Sequence, residues 1–302
     1  MKRDVSVLAA ASATPLPLAP PGRSLAADAW RRLRANRAAV ISLWLLAFIT
    51  LACVAGPWLT GWALDEVDWS AFRAPPSWDS GHWAGTDANG RDLLTRTFYG
   101  GQVSLSVALV ASVVALVVGV LYGAVAGFAG GRVDTLMMRL VDILYSLPFL
   151  FLVILMMVVF GRNILLIYAA IGAVEWLDMA RIVRGQTLAL KRREFVEAAR
   201  ALGVRQREIV WRHIIPNLLG PVMVYLTLTV PKVILLESFL SFLGLGVQEP
   251  LTSWGALISE GKEMMARAPW MLLVPAAFLT TTLCCLNFLG DGLRDALDPR
   301  GR

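Results

Sequence analysis

Residues that could do chemistry are sparse in this sequence, and their spacing fits no catalytic template. The two histidines, His82 and His213, stand far apart, and the three cysteines, Cys53, Cys284 and Cys285, all lie in apolar stretches. Without a Cys-x-x-Cys pair or a Cys/His cluster, the pattern argues against zinc sites and disulfide frameworks. The cysteines read as small hydrophobes. A Walker A loop cradles phosphates with glycines and a lysine. Residues 255–263 (GALISEGKE) come nearest, but they put five residues between the glycines and Glu263 where a hydroxyl should hold magnesium. Asp87-Ala88-Asn89-Gly90 brings a calcium loop to mind, yet glycine falls at position four and Phe98 at position twelve, where an EF-hand needs glycine at six and glutamate at twelve. A turn or helix cap is the better reading there. No nucleophile elbow or metalloprotease signature occurs. We expect no catalytic residue, metal or cofactor on this chain.

A second group of chemical residues is unusual for where it lies. Lys232 and Glu237 interrupt the long apolar stretch 218–247, and Glu175 and Asp178 close the apolar stretch 164–174. Ionisable groups inside a membrane segment are costly and usually face a cavity or a partner. At about 1.5 Å per residue from Asn217, Lys232 would lie about 22 Å along a helix and Glu237 about 30 Å. Five residues put them about 140° apart, too far round for a direct pair. We expect one or both to line the external side of a translocation path, snorkelling to the outer interface being the alternative. Arg181 and Arg184 are the expected partners of Glu175 and Asp178.

The elements that carry these residues must be membrane helices. Of 302 residues, 57% are hydrophobic and 17% charged, against about 45–50% and about 25% in soluble domains. Stretches 38–58, 103–128, 143–160 and 270–289 are long and apolar enough to cross a bilayer; 164–174 and 218–247 are weaker. Charge decides the weak pair. With six spans and a cytoplasmic N-terminus, the inner segments 1–37, 129–142, 178–216 and 291–302 hold 21 Lys and Arg, and the outer loops hold 6. Leaving out the weak pair reduces the inner count to 12 and raises the outer to 16, against the positive-inside rule. The expectation is an all-α integral membrane protein with six transmembrane helices and both termini cytoplasmic.

The organisation follows. Residues 1–37 form a cytoplasmic tail, read as such rather than as a cleaved signal peptide, ending in a basic pre-membrane helix over 24–37 with Trp30 as its lipid anchor. The first membrane helix covers 38–58. Residues 59–102 form an external loop; five of the eleven tryptophans fall between Trp58 and Trp83, which reads as an interfacial belt. A five-helix core follows over 103–290, with the cytoplasmic loop 178–216 inside it and a C-terminus over 291–302. Gly119, Gly123 and Gly127 make a ridge that lets another helix approach closely. Pro148 should kink the third span.

The loop 178–216 is the longest internal connection. Residues 193–202 hold no helix breaker, Gly203 stands where a C-terminal cap with positive φ belongs, and a second helix follows over 205–214 before Pro216. The pattern predicts a helical hairpin with its ends fixed to two membrane helices. Glu197-Ala198-Ala199, Gly203 and Ile214-Ile215-Pro216 resemble the EAA loop of ABC importer permeases. The family usually has isoleucine three residues before the proline; His213 there is similar to the form in the peptide-permease branch. Residues 85–92 (GTDANGRD), 130–134 (GGRVD), 240–246 (LSFLGLG) and 290–300 (GDGLRDALDPR) fit that branch too. The likeness runs over residues 28–300 and is to the second membrane subunit of bacterial oligopeptide and dipeptide ABC importers.

That resemblance implies the type I importer permease fold in the bacterial inner membrane. It implies as partners a second permease subunit, two cytoplasmic ATPases that bind ATP and magnesium, an extracytoplasmic peptide-binding protein and membrane lipid; nucleic acid is not among them. It also implies that the EAA hairpin enters a groove on the ATPase, Glu197 pairing with a basic residue while Gly203 permits the turn and Ala198 and Ala199 the close contact. A solvated Glu197 with Arg193 or Arg200 in reach is the plainer alternative. Importers of nickel, glutathione and other small solutes share this architecture. An ion-coupled secondary transporter is a remoter alternative, which would leave the EAA pattern unexplained.

Overall fold

The computed structural model describes residues 25–161 and 163–297. Among them every regular element is helical. In chain order they are α1 (Leu25–Ala35), α2 (Arg37–Thr60), α3 (Leu93–Val114), a π-helical segment (Ala115–Gly119), α4 (Val120–Ala129), α5 (Gly131–Ser146), α6 (Phe149–Phe160), α7 (Ile164–Leu190), α8 (Glu194–Ala201), α9 (Gln206–Ile209), a second π segment (Val210–Ile214), α10 (Ile215–Phe242), α11 (Trp254–Met264) and α12 (Trp270–Leu297). Four continuous helical runs are long and apolar enough to cross a bilayer: Arg37–Thr60, Leu93–Ala129, Gln206–Phe242 and Trp270–Leu297. The pair α5 and α6, bent by 79°, supplies a fifth if it is one span. The 27-residue α7 is long enough, about 40 Å at the helical rise, but carries Glu175, Asp178, Arg181 and Arg184. The tail 1–24 and residues 298–302 lie outside the described residues.

Several boundaries correct the sequence reading. The third span is not a kinked helix over 143–160. Leu147 is extended (φ −75°, ψ 131°) and Pro148 sits at the N-cap of α6, because proline disfavours helical geometry at the residue before it. The helix expected from residue 103 starts ten residues earlier, where Asp92 Oδ1 accepts the amide of Thr95 at 2.7 Å. The loop 59–102 thus shrinks to 61–92. Pro216 sits in the first turn of α10, as expected, but the π segment before it joins α10 to α9, so the helical run is continuous from Gln206 to Phe242. A wider turn is one way to place a residue that has no amide hydrogen and crowds the preceding turn. The stretch 248–269 contains α11, capped by Ser253 Oγ, which accepts the amide of Ala256.

Packing explains the glycine ridge. α4 lies along α7, and a Cβ on Gly119 would stand 2.6 Å from Met179 Cβ, one on Gly127 2.8 Å from the Arg184 carbonyl. One on Gly123 would strike the Ala180 carbonyl. The three glycines let two backbones touch. A central core joins Val107, Ala111, Met157, Ile171 and Ile234 from α3, α6, α7 and α10. At the hairpin end a second core joins Ala124, Phe128, Met179, Val183, Val196, Ile209, Ile214 and Leu218.

Candidate functional site

Three constellations carry the chemistry, one at each end of the bundle and one near its middle. At the hairpin end, α8 closes in a Schellman turn. The Val204 amide donates to the Ala199 carbonyl at 3.1 Å and the Gly203 amide to that of Arg200 at 2.9 Å. Gly203 takes φ 77°, the left-handed region where a Cβ is penalised. Val196 and Ala199 are buried in one core with residues of α4 and α7, as are Ile209 and Ile214 of the returning run. Arg200 lies over the Phe128 ring at 5.1 Å, and Lys191 donates to the Phe128 carbonyl. The inner face is therefore sealed onto the bundle.

The outer face is open. Glu197, Ala198, Gly203 and Pro216 are exposed, while Ala199 and Ile214 point inward. Leu202 is 82% exposed, and Phe195 and Trp211 stand out beside it. Glu197 has no ion pair among the described residues; neither Arg193 nor Arg200 reaches it, whereas Arg212 pairs with Glu208 at 2.7 Å.

Near the middle, α7 and α10 meet through charges. Lys232 Nζ lies 3.1 Å from Glu175 Oε1 and donates to Glu175 Oε2 and Asp178 Oδ2, each at 3.2 Å. This corrects two expectations, the arginine partners and the helix-end position of Glu175. Arg181 and Arg184 do not neutralise these acids; they pair with Asp142 at 2.8 Å and Asp134 at 2.6 Å, both on α5. Glu175 is not at a helix end but eleven residues into α7, about 17 Å, and Lys232 is ten residues from the end of its run, about 15 Å. Equal distance from the helix ends on antiparallel helices is what lets them meet. Glu237 faces the interior of the bundle in this structure. It is fully buried, its Oε2 accepting from Ser104 Oγ at 2.8 Å and its Oε1 from Ser241 Oγ at 2.7 Å.

At the loop end a buried ion network joins segments distant in sequence. Asp87 accepts from Arg91 Nε at 2.7 Å and from Arg96; Arg91 reaches Glu249 at 3.0 Å, and Arg96 reaches Glu260 of α11. Burial works against the charge of Arg91, but Asp87 and Glu249 hold its pKa above the ordinary arginine value. His82 stacks on Trp62 at 4.4 Å and bridges Asp92 and Asp68. Donation from Ser70 holds Asp68 below the usual carboxylate range. No sequence spacing announced this network, since its members come from loops and helices up to 164 residues apart. The one available signal was GTDANGRD over 85–92, with a carboxylate at each end of the turn.

The family described as binding-protein-dependent transport system inner membrane component matches residues 119–302. The N-terminal transmembrane domain of oligopeptide transport permease C matches residues 24–76. The chain is 60% identical over 281 residues to the oligopeptide transport system permease protein OppC of Escherichia coli strain K12, covering 93% of each. It is 55% identical to the protein of that name from Haemophilus influenzae, over 93% of this chain and 90% of the relative. It is 44% identical to the dipeptide transport system permease protein DppC of Bacillus subtilis, over 93% and 88%. An all-helical bundle with several apolar spans, matched along nearly its whole length by permeases, belongs to the family of binding-protein-dependent transport system inner membrane components.

Proposed function

We propose that this chain is the pore-forming permease subunit of an ATP-driven peptide importer of the bacterial inner membrane. It crosses the bilayer six times, α7 included, with both termini in the cytoplasm, as the excess of Lys and Arg on that side supports. It works with a second permease, two ATPases that bind ATP and magnesium, and a peptide-binding protein outside. It is not itself an enzyme. Peptides are the favoured cargo because similar permeases carry oligopeptide and dipeptide transport in their names.

One observation carries the coupling role: an exposed, unpaired carboxylate, Glu197, on a hairpin whose back is packed into α4 and α7. A charged and partly apolar outer face on a rigidly based element suits a partner that pushes on it. ATP-driven closure of the ATPases would then move the hairpin and the bundle together. Labelled-peptide uptake and ATP hydrolysis in proteoliposomes holding all five chains test this. Uptake should require ATP and should fall at least tenfold in Glu197→Lys with the complex still inserted. Uptake that follows an ion gradient and ignores that substitution would sink the reading.

A further inference from the structure

A hairpin that is pushed must hand its movement to the bundle through the side chains that join them. α8 is eight residues long and hangs between the turn at 191–193 and the turn at Gly203. Val196 and Ala199 bury it in one core with residues of α4 and α7, but apolar burial has no direction and lets a short helix slip. A directional contact comes from Arg200. Its guanidinium lies over the Phe128 ring, 5.1 Å from the ring centre, within the range where a cation is attracted to the negative face of an aromatic ring.

Phe128 is itself held to α7. It is 6% exposed and stands next to last in α4, where backbone carbonyls have no partner within the helix. Lys191, the cap residue of α7, donates to that carbonyl and sets its ammonium 5.5 Å from the ring centre. The preceding Gly127 brings α4 onto the α7 backbone at Arg184. A displacement that reaches the ring therefore moves the ends of α4 and α7 together. α4 in turn ends the run Leu93–Ala129, whose far end carries Arg96 and its tie to Glu260. Within the hairpin, the Phe195 ring lies 6.4 Å from that of His213, which joins α8 to the returning run. Packing alone would be met by a leucine at position 128; only an aromatic ring also holds a guanidinium.

We propose that Phe128 is the positioning residue through which the hairpin moves the membrane helices, the Arg200 cation on its ring carrying the displacement of α8 into α4. The inference rests on the importer reading above and names the joint behind the outer face of the hairpin. Glu197 meets the motor, and Phe128 meets the bundle. Loss of this joint leaves ATP hydrolysis running while uptake stalls.

The test uses the complete transporter in proteoliposomes and reads the ATP hydrolysed for each labelled peptide imported. Phe128 is replaced by nonsense suppression with its mono-, di- and trifluoro analogues. These keep the shape of the ring and drain its negative face step by step, so a role in packing alone leaves the ratio flat. Hydrolysis should hold while ATP used per peptide rises with each fluorine, to at least fivefold for the trifluoro ring. Arg200→Gln, at an exposed position, should raise the ratio as far with an unchanged melting midpoint, and Arg200→Lys should bring it back. Fluorination in the Arg200→Gln chain should add nothing, because the two groups act as one contact. A ratio indifferent to fluorination, or effects of the two changes that multiply, overturns the assignment. Failure of the unaltered complex to import peptide would instead count against the importer reading.

Discussion

Arg96 of α3 grips Glu260 of α11 at two points, Nη1 to Oε2 at 2.7 Å and Nη2 to Oε1 at 3.1 Å. The same guanidinium also holds Asp87, so one side chain ties the loop 61–92 to the helix that closes this end of the bundle. Arg96 and Asp87 are both 1% exposed, and Glu260 is 37% exposed. Removing one partner of a buried pair leaves the other charge stranded, at a cost of about 3–5 kcal/mol. Arg96→Met should therefore lower the thermal midpoint of the purified protein much further than Glu260→Gln, which leaves the Asp87 pair intact. Equal shifts would show that the network is not the fastener of this end.

The glycine ridge makes a sharper prediction. Gly123→Ala puts a methyl against the Ala180 carbonyl and should destabilise by about 1–3 kcal/mol through overpacking. Gly185→Ala, with nothing within 4 Å, should be neutral or gain up to about 1 kcal/mol from helix propensity. Melting of the two variants side by side in detergent checks the contrast. A milder effect at Gly123 than at Gly185 would contradict the packing.

Stability and coupling should separate on the hairpin. Glu197→Ala removes an exposed group with no ion pair, so the melting midpoint should hold while peptide-stimulated ATP hydrolysis falls at least tenfold. Ala199→Leu forces bulk into a buried position and should melt early, by about 1–3 kcal/mol. A Glu197→Ala variant that both melts normally and couples normally would remove Glu197 from the contact.

Glu237 is predicted to matter for folding alone. Glu237→Gln keeps the shape and an acceptor for one of Ser104 and Ser241, its amide NH2 donating to the hydroxyl oxygen of the other, and should be tolerated. Glu237→Ala opens a cavity and strands two buried hydroxyls, at about 1–3 kcal/mol for each, and should sharply lower the yield of inserted protein. Normal yield and stability in Glu237→Ala would mean that the serines find other acceptors.

Much of this was legible in the sequence because it is written in local terms. The apolar stretches and the distribution of Lys and Arg suffice to set out membrane helices, since hydrocarbon demands a run of apolar side chains wherever the chain crosses. The Gly203 cap depends on a few neighbouring residues. Pairings across the bundle are another matter. Lys232 meets Glu175 and Asp178, and Arg96 meets Glu260, across 54 to 164 residues of chain. Their distance in space depends on how helices stack, which no local pattern encodes. The rule that a charge within the membrane faces a cavity or a partner left both open for Lys232; only packing α7 against α10 brought it to Glu175 and Asp178. The same packing turned Glu237 inward among serines, although its spacing along the helix gave it equal claim to the open face.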